Sequence, residues 1–323
     1  MIGCGTTTFT DPDDYRVNVP GANVNLVLTG SGRFKARVTW VELPRLRLVR
    51  IEENLPRIAF VTLEPGPLFV AFPTRYESIW NGLEVRIGDI IWHRLGERSY
   101  LRASGPSCWG LISLAPEDLA KYGGAIADKA LSPPPAVAKI LRPPPKLVMR
   151  LRRLHAQACR LAETKPHIIA HRQVARALEQ DLVHVLVNCL TANEVHRDAG
   201  ARLRHATIML RFEEILGSRD SVQPTIPKLA VAVGVPERTL RMCCAEFLGM
   251  SPSQYAKLRR LNLVRSALRR ADPATDSIAA IARQYGFSEL GRFAAAYRTL
   301  FGESPSTTLR DFGSNIRAFA EFA

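Results

Sequence analysis

Ile278-Ala-Ala-Ile-Ala-Arg-Gln-Tyr-Gly-Phe-Ser-Glu-Leu-Gly-Arg-Phe-Ala-Ala-Ala-Tyr-Arg-Thr-Leu-Phe-Gly-Glu-Ser-Pro305 is the stretch from which the fold of this chain is read. Ile278, Ile281 and Ala282 recur at the three-and-four spacing of a helix face, and Phe293, Tyr297 and Leu300 do so again. Between the two runs stands Gly286, a residue free to take the positive φ of a tight turn. Helix, glycine turn, helix is the layout of a helix-turn-helix unit. Ser288 is the expected N-cap of its second helix.

Sliding the sequence along itself by about fifty positions reveals a second copy. Ile226, Leu229, Ala230, Gly234 and Val235 align with Ile278, Ile281, Ala282, Gly286 and Phe287. With one residue inserted, Leu240, Cys244, Phe247 or Leu248, Gly249, Ser251 and Pro252 align with Phe293, Tyr297, Leu300 or Phe301, Gly302, Ser304 and Pro305. The units run over about 226–248 and 278–301, with Gly234 and Gly286 as their turns and Leu229, Leu240, Phe247, Ile281, Phe287, Phe293 and Tyr297 as their core. On the second helices Arg238, Arg241, Met242 and Ala245, then Leu290, Gly291, Arg292 and Ala295, turn away from those apolar faces. Outward positions of this kind are where a recognition helix meets base edges.

Ser251-Pro-Ser-Gln254 forms a capping box and Asp272-Pro273 a stop, so a helix of roughly 19 residues is expected between the copies. At 1.5 Å per residue it spans about 28 Å, near the 34 Å between successive major-groove segments on one DNA face. Its basic residues include Lys257, Arg259 and Arg260, which with Arg298 are the candidates for contacts to the DNA backbone. A formal net charge of +14 over 323 residues agrees with a polyanionic partner.

Upstream, short β-prone runs lie between Gly and Pro signals: Val24–Leu28, Arg33–Trp40, Arg45–Ile51 and Ile58–Leu63, with a turn at Asn81-Gly82. Leu46, Leu48 and Ile51 against Arg45, Arg47 and Arg50 suggest a sheet with one solvated face and a bulge near Val49. The prolines of 133–145 mark a boundary, and two amphipathic helices follow, carrying Leu147, Leu151, Leu154, Ala158 and Leu161, then Val174, Leu178, Leu182, Val185 and Leu186. The resulting organisation is 1–132 β-rich, 133–145 connection, 146–205 a helical hairpin with a linker or dimerisation role, and 206–323 DNA-binding. The six cysteines show no metal-ligand spacing, and His93 has no His or carboxylate pattern around it that would make a barrel metal site. Trp40, Trp80, Trp92 and Trp109 are read as core, or as the lining of an effector pocket. No apolar run is long enough to span a bilayer, and the opening Met1-Ile-Gly-Cys-Gly lacks a secretory signal, so a cytoplasmic protein with no membrane partner is expected.

Ile281-Ala-Arg-Gln-Tyr-Gly-Phe287, Arg292-Phe293, Tyr297-Arg298 and Phe301-Gly-Glu-Ser-Pro305 resemble the second motif of the AraC/XylS family of transcription regulators. The resemblance covers about Gln223 to Phe312, and Phe287-Ser-Glu-Leu-Gly-Arg-Phe293 is similar to the subgroup containing ethanolamine-operon activators. It implies an α+β protein: an N-terminal cupin-like jelly roll or barrel followed by helices, then an all-α domain with two helix-turn-helix units joined by a long helix. It also implies base-facing roles for Arg238, Arg241, Met242, Leu290, Gly291, Arg292 and Ala295. Cys244 stands where the family usually has a Phe, a departure that bears on packing of the first unit. The implied partners are promoter or operator DNA, RNA polymerase, a small-molecule effector and a second copy of the chain. No cofactor, metal or catalytic residue is expected, since the first 200 residues hold no nucleophile elbow, phosphate loop or clustered metal ligands. Two other readings stay open at this point: a cupin-type enzyme with a DNA-tethering tail, and a non-specific DNA binder.

Overall fold

The computed structural model describes residues 2–16, 21–191, 199–217 and 225–310, so the outermost residues of the resembling stretch, 223–224 and 311–312, lie outside the described residues. The elements in chain order are β1 (Gly3–Phe9), α1 (Pro12–Arg16), β2 (Ala22–Leu28), β3 (Ala36–Glu42), β4 (Leu46–Glu53), β5 (Arg57–Leu63), β6 (Leu68–Pro73), β7 (Ser78–Trp80), β8 (Leu83–Val85), β9 (Ile90–Trp92), β10 (Arg98–Ala103), β11 (Ser107–Leu114), α2 (Pro116–Ala127) and β12 (Lys139–Leu141). Helices follow: α3 (Pro145–Thr164), α4 (Pro166–Ala170), α5 (Arg172–Leu190), α6 (Ala199–Gly217), α7 (Ile226–Val233), α8 (Glu237–Leu248), α9 (Pro252–Arg270), α10 (Ile278–Gln284) and α11 (Leu290–Phe301). The chain divides into two compact units, one of residues 1–25, 34–54 and 59–203, the other of 26–33, 55–58 and 204–323.

The strands form a seven-stranded sheet, β1-β3-β4-β11-β6-β9-β12, and a five-stranded one, β2-β5-β10-β7-β8. Asn81 and Gly82 both take positive φ, 45° and 76°, so the expected turn joins β7 to β8. β4 departs from expectation in an instructive way. Its pairing with β3 and β11 runs without interruption through Val49, which sits opposite both Trp40 and Leu111, so there is no bulge. Nor is either face solvated: Leu46, Leu48, Val49 and Ile51 are all buried. Leu46 and Leu48 join a core with Leu151, Ala158, Leu182 and Leu186 from α3 and α5, while Arg50 on the same face pairs with Glu163 of α3. Of the arginines that suggested a solvated face, Arg50 is thus covered by a helix, while the side chains of Arg45 and Arg47 stay 55% and 39% exposed. The proline-rich stretch also does more than connect, because its Lys139–Leu141 pairs with β9 as the last strand of the larger sheet.

Between α3 and the sheet, His155 is fully buried and its Nε2 donates to the Val49 carbonyl oxygen at 3.1 Å. Burial lowers its pKa from about 6.5 to about 4, so the imidazole is neutral in the folded chain. Between those two values the unfolded chain takes up a proton that the folded chain excludes. Stability is therefore complete above about pH 6.5 and is lost as the pH falls toward 4. From pH 7.5 to pH 5 the loss should be about 2 kcal/mol. Urea unfolding at the two pH values checks it: His155→Gln should flatten the dependence by that amount, and an equal slope in both proteins would refute the assignment.

Candidate nucleic-acid interface

Both copies of the helix-turn-helix close their first helix in the same way, which ties the sequence repeat to backbone geometry. Gly234 and Gly286 stand at φ 81° and 78°. Val235 N–H donates to the Ala230 oxygen at 3.0 Å, and the aligned Phe287 N–H donates to the Ala282 oxygen at 3.0 Å. The second helices also end alike, at Gly249 and Gly302 with φ 69° and 72°. Past those ends, Ser251 Oγ accepts the Gln254 N–H at 3.3 Å and Ser304 Oγ accepts the Thr307 N–H at 3.1 Å. One expected cap differs: α11 begins one residue later than read, with Glu289 rather than Ser288 at the N-cap and no side-chain bond there.

The inward positions fall as their spacing requires. Leu229, Leu240, Phe247, Phe293 and Tyr297 are buried, and Ile281 and Phe287 are half-buried. Tyr297 also ties α11 to the chain beyond it, its hydroxyl lying 2.8 Å from Thr308 Oγ1. Cys243 and Cys244 are fully buried, and burial pushes their thiols up to about 11 and about 12, so neither is a thiolate near neutrality. The volume that a Phe would fill at 244 is approached from α6, where Met209 Sδ lies 4.0 Å from Cys244 Sγ.

The outward positions are open. Arg238, Arg241, Met242 and Ala245 on α8 are exposed, as are Gly291, Arg292 and Ala295 on α11, while Leu290 is half-buried. Arg241 reaches back to Glu237 at 3.3 Å and Arg292 to Glu289 at 3.0 Å. These solvated pairs within one helix are weak, so each guanidinium can exchange its carboxylate for a guanine edge at little cost. The acids that hold the arginines were missed in the sequence, although the three- and four-residue spacings signalled them.

The four backbone candidates divide. Lys257 and Arg298 are exposed. Arg259 instead donates from Nε to Glu213 at 3.2 Å and from Nη1 to the Leu216 oxygen at 2.6 Å, with its side chain 12% exposed. Arg260 lies over the Phe287 ring at 4.9 Å and donates to the Tyr285 and Gly286 oxygens at 3.4 and 3.3 Å. These two residues are the joints of the fold rather than free cations. Arg259 and Tyr255 hold α9 to α6 through Glu213, which also accepts the Tyr255 hydroxyl at 3.0 Å, and Arg260 holds the turn of the second unit. His205 Nδ1, 2.7 Å from Glu246, adds a further tie between α6 and α8.

Two recognition-type helices joined by a 19-residue α9 define a double helix-turn-helix DNA-binding domain. Residues 229–311 match the family model described as a helix-turn-helix domain. Over 86 residues the chain is 41% identical to a probable thc operon regulatory protein of Rhodococcus erythropolis, covering 27% of this chain and 26% of that one. Over the same length it is 38% identical to a XylDLEGF operon transcriptional activator of Pseudomonas putida, covering 27% of each. Among solved structures, an AraC-like transcriptional activator named CuxR is similar over 80% of this chain and 94% of its own, at 16% identity and a TM-score of 0.43. Residues 229–311 of the chain are thus similar to a helix-turn-helix domain that it shares with operon regulators. The matches span about a quarter of those curated relatives' own length.

Among the described residues, no helix is long and apolar enough to cross a membrane, and no group of three or more His, Cys, Asp or Glu side chains could hold a metal ion. His93, which looked isolated in the sequence, pairs through Nδ1 with Glu97 at 3.0 Å.

Proposed function

We propose that the chain is a sequence-specific regulator of transcription that reads two adjacent major-groove segments of a promoter or operator with α8 and α11. It acts as an activator in the cytoplasm, engages RNA polymerase, has no catalytic role, and is controlled through its first unit by a small-molecule effector or by a second copy of the chain. The observation that carries this reading is the repeated placement of buried and exposed residues on the two helices, with arginines outward on both. Arg238, Arg241 and Arg292 are assigned to base edges, with Met242 and Leu290 as apolar contacts. Gly291 and Ala295 permit close approach of the helix to the groove, and Lys257 and Arg298 are assigned to phosphates.

Selection of duplexes from a random pool with the full chain tests the proposal. A selected sequence should bind about 10³–10⁷ times more tightly than unrelated DNA at physiological salt. A ratio near one at every salt concentration would replace this reading with non-specific binding.

A further inference from the structure

Each recognition-type helix carries an acid among its outward arginines. Glu237 and Glu289 stand three residues after the turn glycines Gly234 and Gly286, so the repeat puts a carboxylate at the same point of both units. Glu237 is the first residue of α8 and Glu289 the N-cap of α11, at the ends where a helix in the major groove meets base edges. Their side chains are 42% and 61% exposed. Glu237 Oε2 lies 3.3 Å from Arg241 Nη2, and Glu289 Oε1 lies 3.0 Å from Arg292 Nη1. The arginine follows by four residues in the first unit and by three in the second, so the acid keeps its place while its partner shifts. Capping does not account for Glu289, whose side chain takes no helix N–H. On a face turned to a polyanion a negative charge opposes binding unless it meets a hydrogen-bond donor.

We propose that Glu237 and Glu289 are specificity-determining residues, each accepting the N4 amino group of a cytosine once its arginine has turned to a guanine. The inference rests on the reading that α8 and α11 enter the major groove. A carboxylate only accepts hydrogen bonds, so it is refused by the O6 and N7 of guanine and by the O4 of thymine. Adenine offers an amino group but sets its N7 acceptor beside it. Cytosine is the base that remains. Side chains three or four residues apart on a helix have Cβ atoms about 5–6 Å apart, against about 3.4 Å between base pairs, so the cytosine lies within about two base pairs of the guanine. Each helix thus selects a short step containing G and C rather than a guanine alone.

Single-base variants of the selected duplex, bound by the full chain and by Glu237→Ala, Glu289→Ala and Glu289→Gln, test the proposal. The parent should prefer cytosine at one position in each half of the site by about 5- to 150-fold. Glu289→Ala should flatten that preference in the half read by α11 and keep the preference for the neighbouring guanine. It should also bind unrelated DNA more tightly, because a charge of the same sign as the phosphates has gone. Glu237→Ala should do the same in the other half. Glu289→Gln should move the preferred base from cytosine to adenine, whose N6 and N7 suit an amide. Acids that served only the helix ends would change the melting temperature and leave every base preference as in the parent. That result overturns the inference, as does a gain in affinity equal on every duplex, or a loss of the guanine preference along with that for cytosine. A parent that selects no sequence sinks the groove-reading proposal itself, whereas a selected sequence whose preferences ignore both acids sinks this inference alone.

Discussion

Arg292→Ala in the full-length chain is expected to weaken binding to its selected duplex by about 5- to 150-fold, the equivalent of about 1–3 kcal/mol for one bidentate guanine contact. Arg292 is 83% exposed on the outward side of α11 and, among the described residues, pairs with Glu289 in a solvated contact. That solvated contact is weak, so the melting temperature should not move. Discrimination should relax at one position of the selected sequence, while binding to unrelated DNA falls only slightly. Arg292→Lys should fail to restore the lost affinity, because an ammonium cannot match two acceptors with a fork. Arg298→Ala should behave differently, weakening all duplexes alike and lowering the slope of log affinity against log salt by about one. Competition assays at two salt concentrations separate the patterns. Equal losses on every sequence for Arg292→Ala would make it a phosphate contact instead.

The second large effect is on stability. Glu213→Ala should destabilise the second unit by about 3–5 kcal/mol, because it leaves the Arg259 guanidinium, 12% exposed, without its carboxylate. It also leaves the Tyr255 hydroxyl without the oxygen to which it donates. Tyr255 is fully buried, and burial, the largest cause that holds its pKa well above the usual phenol range, persists when Glu213 is removed. Urea unfolding followed by far-ultraviolet circular dichroism measures the loss. Glu213→Gln, which keeps an acceptor for Tyr255, should cost less. A loss below about 1 kcal/mol for the alanine variant would mean that α6 is not fastened to α9 through this carboxylate.

The second unit was legible because its determinants are local. Gly286 with apolar residues three and four apart fixes a turn and two buried faces within about twenty-five residues, and the repeat at Gly234 supplies an independent copy of the same reading. Charge misled where face was not considered. Arg260 lies four residues before Val264 and eight before Leu268, both fully buried, so its helical phase already placed it beside the buried stripe. Arg259 follows Tyr255 by one turn, and the tyrosine is buried for the same reason. β4 could not be read locally at all. Whether Arg50 meets water or Glu163 depends on a helix more than a hundred residues away, and the apparent break in alternation at Val49 is simply a strand covered on both faces. That the indole N–H groups of Trp80 and Trp109 are buried without a hydrogen-bond partner among the described residues was likewise out of reach, since composition reports a tryptophan but not whether its N–H is satisfied.

Hydroxyl-radical footprinting of the full-length chain on its selected duplex tests the central claim most directly. Two protected patches are predicted on one face of the DNA, centred about one helical turn, 10–10.5 base pairs, apart, with Arg238→Ala and Arg292→Ala each exposing a different patch. A single patch, or two patches that both variants uncover together, would contradict the account of two helices reading neighbouring grooves.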